Sequence, residues 1–210
     1  FGVHIDGWAA DNSFSVDLWN YVENKKLIKA SEDALENAIK LVKSLGRHNE
    51  KNKIDRDYKV SSSINNSSSG WGGGTELNEI GAIISKAIKS HGFFPIVNLS
   101  GHSMEQYELH AGITIPNKDD GRNEKFVPGL YAIEPFATTG NGRVRDGKPS
   151  GIYQLKSEKN PRSQTAREVL EFIIKEYNKL PFCSRWIVKE FGVKSILSLR
   201  ELESNGNLHN

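Results

Sequence analysis

An α+β fold is predicted, and three observations predict it. The first residues carry a hairpin signature, helical periodicity appears in three separate regions, and the extended segments between them do not alternate regularly with helices. The elements follow in order. FGVHIDGWAAD is centred on Asp6-Gly7, and a type I′ turn needs positive φ at both central positions, which Gly supplies at no steric cost. Counting outward pairs Ile5 with Trp8, His4 with Ala9, Val3 with Ala10 and Gly2 with Asp11. The acid therefore faces a residue with no side chain, which leaves open space before its carboxylate. The position preceding Phe1 would lie diagonally across from Asp11 on the same face. Phe14, Val16 and Leu18 extend the alternation to about residue 20.

SEDALENAIKLVKSLG predicts a helix with Ser31 as N-cap, Leu35, Ala38, Ile39, Val42 and Leu45 as its apolar face, and Gly46 as its stop. Residues 47–74 change character. A charged run leads into VSSSINNSSSGWGGG, which has too little to bury to offset its ordering entropy and reads as a mobile surface insertion. A second helix is expected from Thr75 to Ser90, with Leu77, Ile80, Ile84 and Ala87 on one face. Extended segments follow at 96–100, at 112–115 and in LYAIEPFAT, which runs into the glycine-punctuated TGNGRV. From about Pro161 the pattern is helical: one helix with Val169, Phe172, Ile173 and Leu180, one that stops at Gly192, and one with Ile196, Leu199 and Leu202 that ends at Asn205-Gly206. An extended segment starts at GNLHN.

The net charge of +2 over 210 residues gives no field strong enough to imply nucleic acid or anionic membrane as the main partner. The single cysteine, Cys183, rules out an internal disulfide framework, fits a reducing cytoplasm and is expected to be a buried thiol. No apolar run approaches the roughly 20 residues that span a bilayer, and no segment resembles a signal peptide. A cytoplasmic location is expected.

The chemistry concentrates in NLSGHSMEQYELHAG and YAIEPF. His102 follows Gly101, and His110 precedes Ala111-Gly112, so each imidazole is flanked by small residues that permit close approach. Glu134 stands in an otherwise apolar run, where a charge is costly unless paired or metal-bound. With Asp11 these supply imidazole and carboxylate donors suited to Mn, Fe, Co or Zn rather than calcium. Each also has a structural reading: a surface or capping role for Asp11, an ion pair for Glu134, a hydrogen-bonded core imidazole for His102. His4 and Asp6 are assigned to the hairpin itself. His48, His91 and His209 are expected to be solvated, and TGNGRV lacks the following helix that a phosphate loop needs.

Taken in order, GVHIDGWAAD, NLSGH, YELHAG, IPN, YAIEPFATTGNGRV and LPFCSRW resemble the type 2 methionyl aminopeptidases of the archaeal type. The resemblance implies the pita-bread (creatinase/aminopeptidase-like) fold. It divides the chain into a partial catalytic domain over 1–155 and a small winged-helix-like helical insertion subdomain over 156–210. It also implies two divalent ions, with Asp11, His102 and Glu134 among five ligands. The remaining aspartate is expected just before Phe1 and the remaining glutamate beyond Asn210, so the chain reads as cut at both ends and inactive as it stands.

The implied reaction removes the N-terminal methionine of nascent polypeptides through a metal-activated water, with His110 stabilising the tetrahedral intermediate. Leu109, Pro181 and Phe182 are expected to line the methionine pocket, though core packing selects the same residue types. A cytoplasmic monomer, met by its substrates at the ribosome, is implied, without membrane or specific nucleic acid. The alternative is a non-catalytic pita-bread protein that binds RNA or protein partners.

Overall fold

The computed structural model describes residues 1–57 and 75–210, with 45–57 described by backbone alone. In chain order the elements are β1 (Gly2–Ile5), β2 (Trp8–Asp11), α1 (Val22–Asp57), α2 (Leu77–Ser90), β3 (Phe94–Pro95), β4 (Ser100–Met104), β5 (Thr114–Pro116), β6 (Leu130–Ala132), β7 (Ala137–Thr138), β8 (Ile152–Leu155), α3 (Gln164–Glu176), β9 (Phe182–Cys183), α4 (Ser184–Phe191), α5 (Ser195–Ser204) and β10 (Leu208–His209). They form two compact units. One holds 1–12, 104–111 and 145–210; the other holds 13–103 and 112–144.

In the first unit, β1 and β2 pair antiparallel in the predicted register, Gly2 with Asp11 and Ile5 with Trp8. Asp6 and Gly7 both have positive φ, 49° and 82°, as a type I′ turn requires. Phe1 and Asn12 exchange both backbone hydrogen bonds, so Val3–Ala10 and Ile5–Trp8 are the next bonded pairs, and Gly2–Asp11 is a closer, non-bonded pair. Val3, Ile5 and Trp8 share the opposite face and are exposed. The predicted continuation through Phe14, Val16 and Leu18 is not strand. The strand ends at Asp11, its last backbone pair is Phe1–Asn12, and those three side chains are exposed.

The rest of this unit is a three-stranded antiparallel sheet, β10-β8-β9, packed with α3, α4 and α5. Val169, Ile173, Phe182, Ile187, Leu199, Leu202 and Leu208 build its core. The predicted helix ends at Gly192 and at Asn205-Gly206 hold, because both glycines take positive φ. Ile196, grouped with Leu199 and Leu202 in the sequence, is exposed. The core side of α5 holds Ser195 and Ser198 beside Leu199 and Leu202.

The second unit packs α1 against α2, with β4 between β5 and β6 in one sheet and β3 paired with β7. The helix expected to start at Ser31 and stop at Gly46 starts at Val22 and continues to Asp57, so Ser31 is not a cap. A glycine costs a helix only about 1 kcal/mol, and Arg47, Glu50, Lys51, Lys53 and Arg56 after it are good helix formers. The predicted insertion thus begins in helix; its Ser/Asn/Gly part, 58–74, lies outside the described residues. The buried stripe of α1 is Ala30, Ala34 and Ala38 at i, i+4, i+8, with Leu35 and Ile39 beside it half-buried. Small side chains let α2 approach closely through Ile80, Ile84 and Ala87. The strand expected at 96–100 lies later, in β4, and the run LYAIEPFAT breaks into β6 and β7. Pro135 cannot donate to a ladder, so Glu134 sits in the break rather than inside a strand.

Candidate metal centre

His102 lies at the middle of β4, opposite Thr114 on β5. Gly101 makes that position possible: a Cβ there would run into the backbone carbonyl of Ala132 on β6, so only glycine lets the two strands meet. Thr114 is in turn held by Arg122, which donates from Nη1 to Thr114 Oγ1 (3.0 Å) and from Nε to Asp120 Oδ2 (2.6 Å). The start of β4 is fixed by buried Asn117, whose Nδ2 donates to the Leu99 carbonyl (3.0 Å).

The outcome is a buried imidazole facing a carboxylate: His102 Nε2 stands 3.5 Å from Glu134 Oε1, with the glutamate about one-quarter exposed (28%). His102 Nδ1 lies 3.4 Å from the Ser103 carbonyl, so an ion taken up at Nε2 would leave Nδ1 to carry the proton toward that carbonyl. Two donors bound at about 2.0–2.2 Å to one ion in tetrahedral geometry lie about 3.4 Å apart, so this pair fits a divalent metal without rearrangement.

The other predicted residues belong to the first unit. Asp11 ends β2, half-buried, opposite Gly2 as the hairpin count requires. His110 is exposed. Leu109 and Pro181 are half-buried, whereas Phe182 is a core residue (1% exposed), its ring stacked on Tyr177 at 5.1 Å. Cys183 is buried as expected. It also accepts a hydrogen bond from Arg185 Nε (3.5 Å), and this bond to the guanidinium lowers the thiol below its ordinary pKa.

The remaining histidines divide. His4 Nδ1 accepts the Gly7 N–H (3.3 Å), as its assignment to the hairpin implies. His91, expected to be solvated, is instead paired with Asp33 at 2.9 Å because α1 passes beside the end of α2. The side chain of His48 lies outside the described residues. The TGNGRV segment is a structural tie: Gly142 takes φ 77° where a Cβ would meet the Pro95 carbonyl, and Asn98 bonds both the N–H and the carbonyl of Val144.

Sequence reasoning missed Arg122 and the pair Gln106-Tyr107, which support the elements that carry the candidate ligands. Nothing in their local pattern marks them, since their partners are distant in sequence.

No protein-family model matches the chain. The fold is shared with the solved structure of a thermophilic Arx1, with a TM-score of 0.63 at 13% identity, over 97% of this chain and 55% of that one. That likeness places the protein in the pita-bread class of α+β folds. In sequence it is 40% identical over 90% of its length to a methionine aminopeptidase of Methanocaldococcus jannaschii, and 38% identical over 99% to one of Pyrococcus abyssi. Over the matched residues the chain is similar in sequence to the archaeal methionine aminopeptidases. It spans 54% and 61% of those two relatives. Among the described residues, no helix is long and apolar enough to cross a membrane.

Proposed function

We propose that this chain is part of a methionyl aminopeptidase that removes the N-terminal methionine of nascent polypeptides in the cytoplasm, using two divalent ions for which Asp11, His102 and Glu134 supply ligands. The observation that carries the reading is the buried His102 imidazole set 3.5 Å from the Glu134 carboxylate on a glycine-dependent strand. Identities of 40% and 38% to curated methionine aminopeptidases support it.

Bound ions of this kind polarise a carbonyl and make a nucleophile available from water near neutral pH. The chain's own residues have complementary tasks. His102 offers a neutral nitrogen, and Asp11 and Glu134 offer anionic oxygens, a donor mixture that suits Mn, Fe, Co or Zn. His110, exposed on its loop, donates an N–H to the oxyanion that develops at the scissile carbonyl. Leu109 and Pro181, both half-buried, line the methionine pocket, and Phe182 contributes from the core. Residues 156–210 constitute the helical insertion subdomain of the family.

The test uses the protein extended to the length of its relatives. It is expected to take up about two Mn or Co ions and to release methionine from a Met-Ala peptide, with uptake reduced in Glu134→Gln and His102→Ala. No metal uptake, combined with tight, salt-sensitive RNA binding, would instead favour the non-catalytic alternative.

A further inference from the structure

We infer that Gln106 and Tyr107 are positioning residues that clamp the Asp6-Gly7 turn and thereby hold the Asp11 strand beside the segment that carries His110. The inference rests on the proposed role of Asp11 and His110, but its physical core is local and lies within one compact unit.

The β1-β2 hairpin is a two-stranded sheet, and among the described residues no third strand joins it. Such a ribbon is marginally stable by itself, so contacts at the turn help to set its orientation. Four contacts meet there. The Tyr107 N–H donates to the Gly7 carbonyl (2.9 Å), and Gln106 Nε2 donates to the Asp6 carbonyl (2.7 Å). The Tyr107 ring fills the space a side chain at position 7 would need, since a Cβ on Gly7 would stand 2.5 Å from it. The same ring lies 6.5 Å from the His4 ring, whose Nδ1 accepts the Gly7 N–H.

Tyr107 adopts φ 58°, a left-handed conformation that is rare and strained for a bulky residue. That strain is retained because the conformation aims both the N–H and the ring at the turn. The short turn that Tyr107 occupies is closed by the Glu105–Glu108 bridge, and Glu108 is tied to Lys179 at 3.6 Å. His110 follows two residues later. One short segment therefore seats the hairpin at one end and presents the candidate oxyanion donor at the other.

The test compares Tyr107→Ala, Tyr107→Phe and Gln106→Ala in the 210-residue chain by amide hydrogen exchange and by Mn2+ titration. Tyr107→Ala is expected to speed exchange at the Val3 and Ala10 ladder amides about tenfold or more, with α3 amides unchanged, and to weaken Mn2+ binding about tenfold. Tyr107→Phe, which keeps the ring, is expected to match the parent in both. Gln106→Ala removes a single hydrogen bond from an exposed side chain; it is expected to show a smaller change in the same direction, and it serves if Tyr107→Ala fails to fold. Unchanged hairpin exchange in both alanine variants would overturn the clamp. Faster exchange with unaltered Mn2+ affinity would overturn its positioning role. Failure of the protein extended to the length of its relatives to bind Mn2+, while the variants still loosen the hairpin, would overturn the proposed function and leave the clamp standing.

Discussion

At the scale of single residues, the candidate site depends on a glycine as much as on the candidate ligands. Gly101 has the Ala132 carbonyl where its Cβ would be, so Gly101→Ala must push β4 away from β6 and carry His102 with it. Weaker metal binding is expected even though no ligand is altered, with a stability loss of about 1–3 kcal/mol from overpacking. Titration calorimetry and a denaturant melt on the same variant check both. Phe182 gives a contrasting expectation. Buried and stacked on Tyr177, it should cost about 3–5 kcal/mol of stability when changed to alanine, through the lost core contacts and the cavity left behind.

At the scale of elements, α3 shows how the helical region is tied together. Ser163 caps the helix by accepting the Ala166 N–H (3.1 Å), and Glu201 of α5 accepts from both the backbone N–H and the hydroxyl of Ser163 (2.9 and 2.7 Å). Ser163→Ala should cost about 1 kcal/mol, read as a shift in the urea midpoint. The bonds from the Ser163 backbone and then its hydroxyl hold the Glu201 carboxyl below its usual pKa. A depressed carboxylate stabilises the fold above the ordinary carboxylate range, and that contribution is lost as the pH falls through the depressed value. Glu201→Gln should therefore be less stable than the parent at pH 7 and indistinguishable from it in acid, as thermal melts at the two pH values would show.

Legibility also differed between elements. The hairpin was readable down to its register, because the Asp-Gly turn and the period of two are local rules. The ends of α4 and α5 were readable because each is followed by a glycine with positive φ, Gly192 and Gly206. The first helix was misread at both ends: Ser31 resembled a cap, and Gly46 resembled a stop, but neither interrupts α1. Which face of α5 turns inward was also hidden, since Ser195 and Ser198 are buried while Ile196 is exposed. Packing against α3 and α4, not periodicity, chooses that face.

At the scale of the whole molecule, folding and metal binding are expected to be linked. An ion held by folded His102 and Glu134, but not by the unfolded chain, stabilises the protein by about 2.7 kcal/mol at a hundredfold excess over its dissociation constant. The melting temperature should therefore rise with Mn2+ concentration in the parent and stay flat in His102→Ala, which calorimetric scans would record.

The sequence by itself determined the α+β class, the hairpin that places Asp11 opposite Gly2, and the identities of the candidate donors, because turn chemistry, periodicity and donor type are properties of short segments. Only the tertiary structure decided that the His102 imidazole faces Glu134 at 3.5 Å, and that Gln106 and Tyr107 grip a turn a hundred residues away in sequence. Such pairings are selected by which strands and loops pack together, and packing is a property of the folded chain rather than of any window of it.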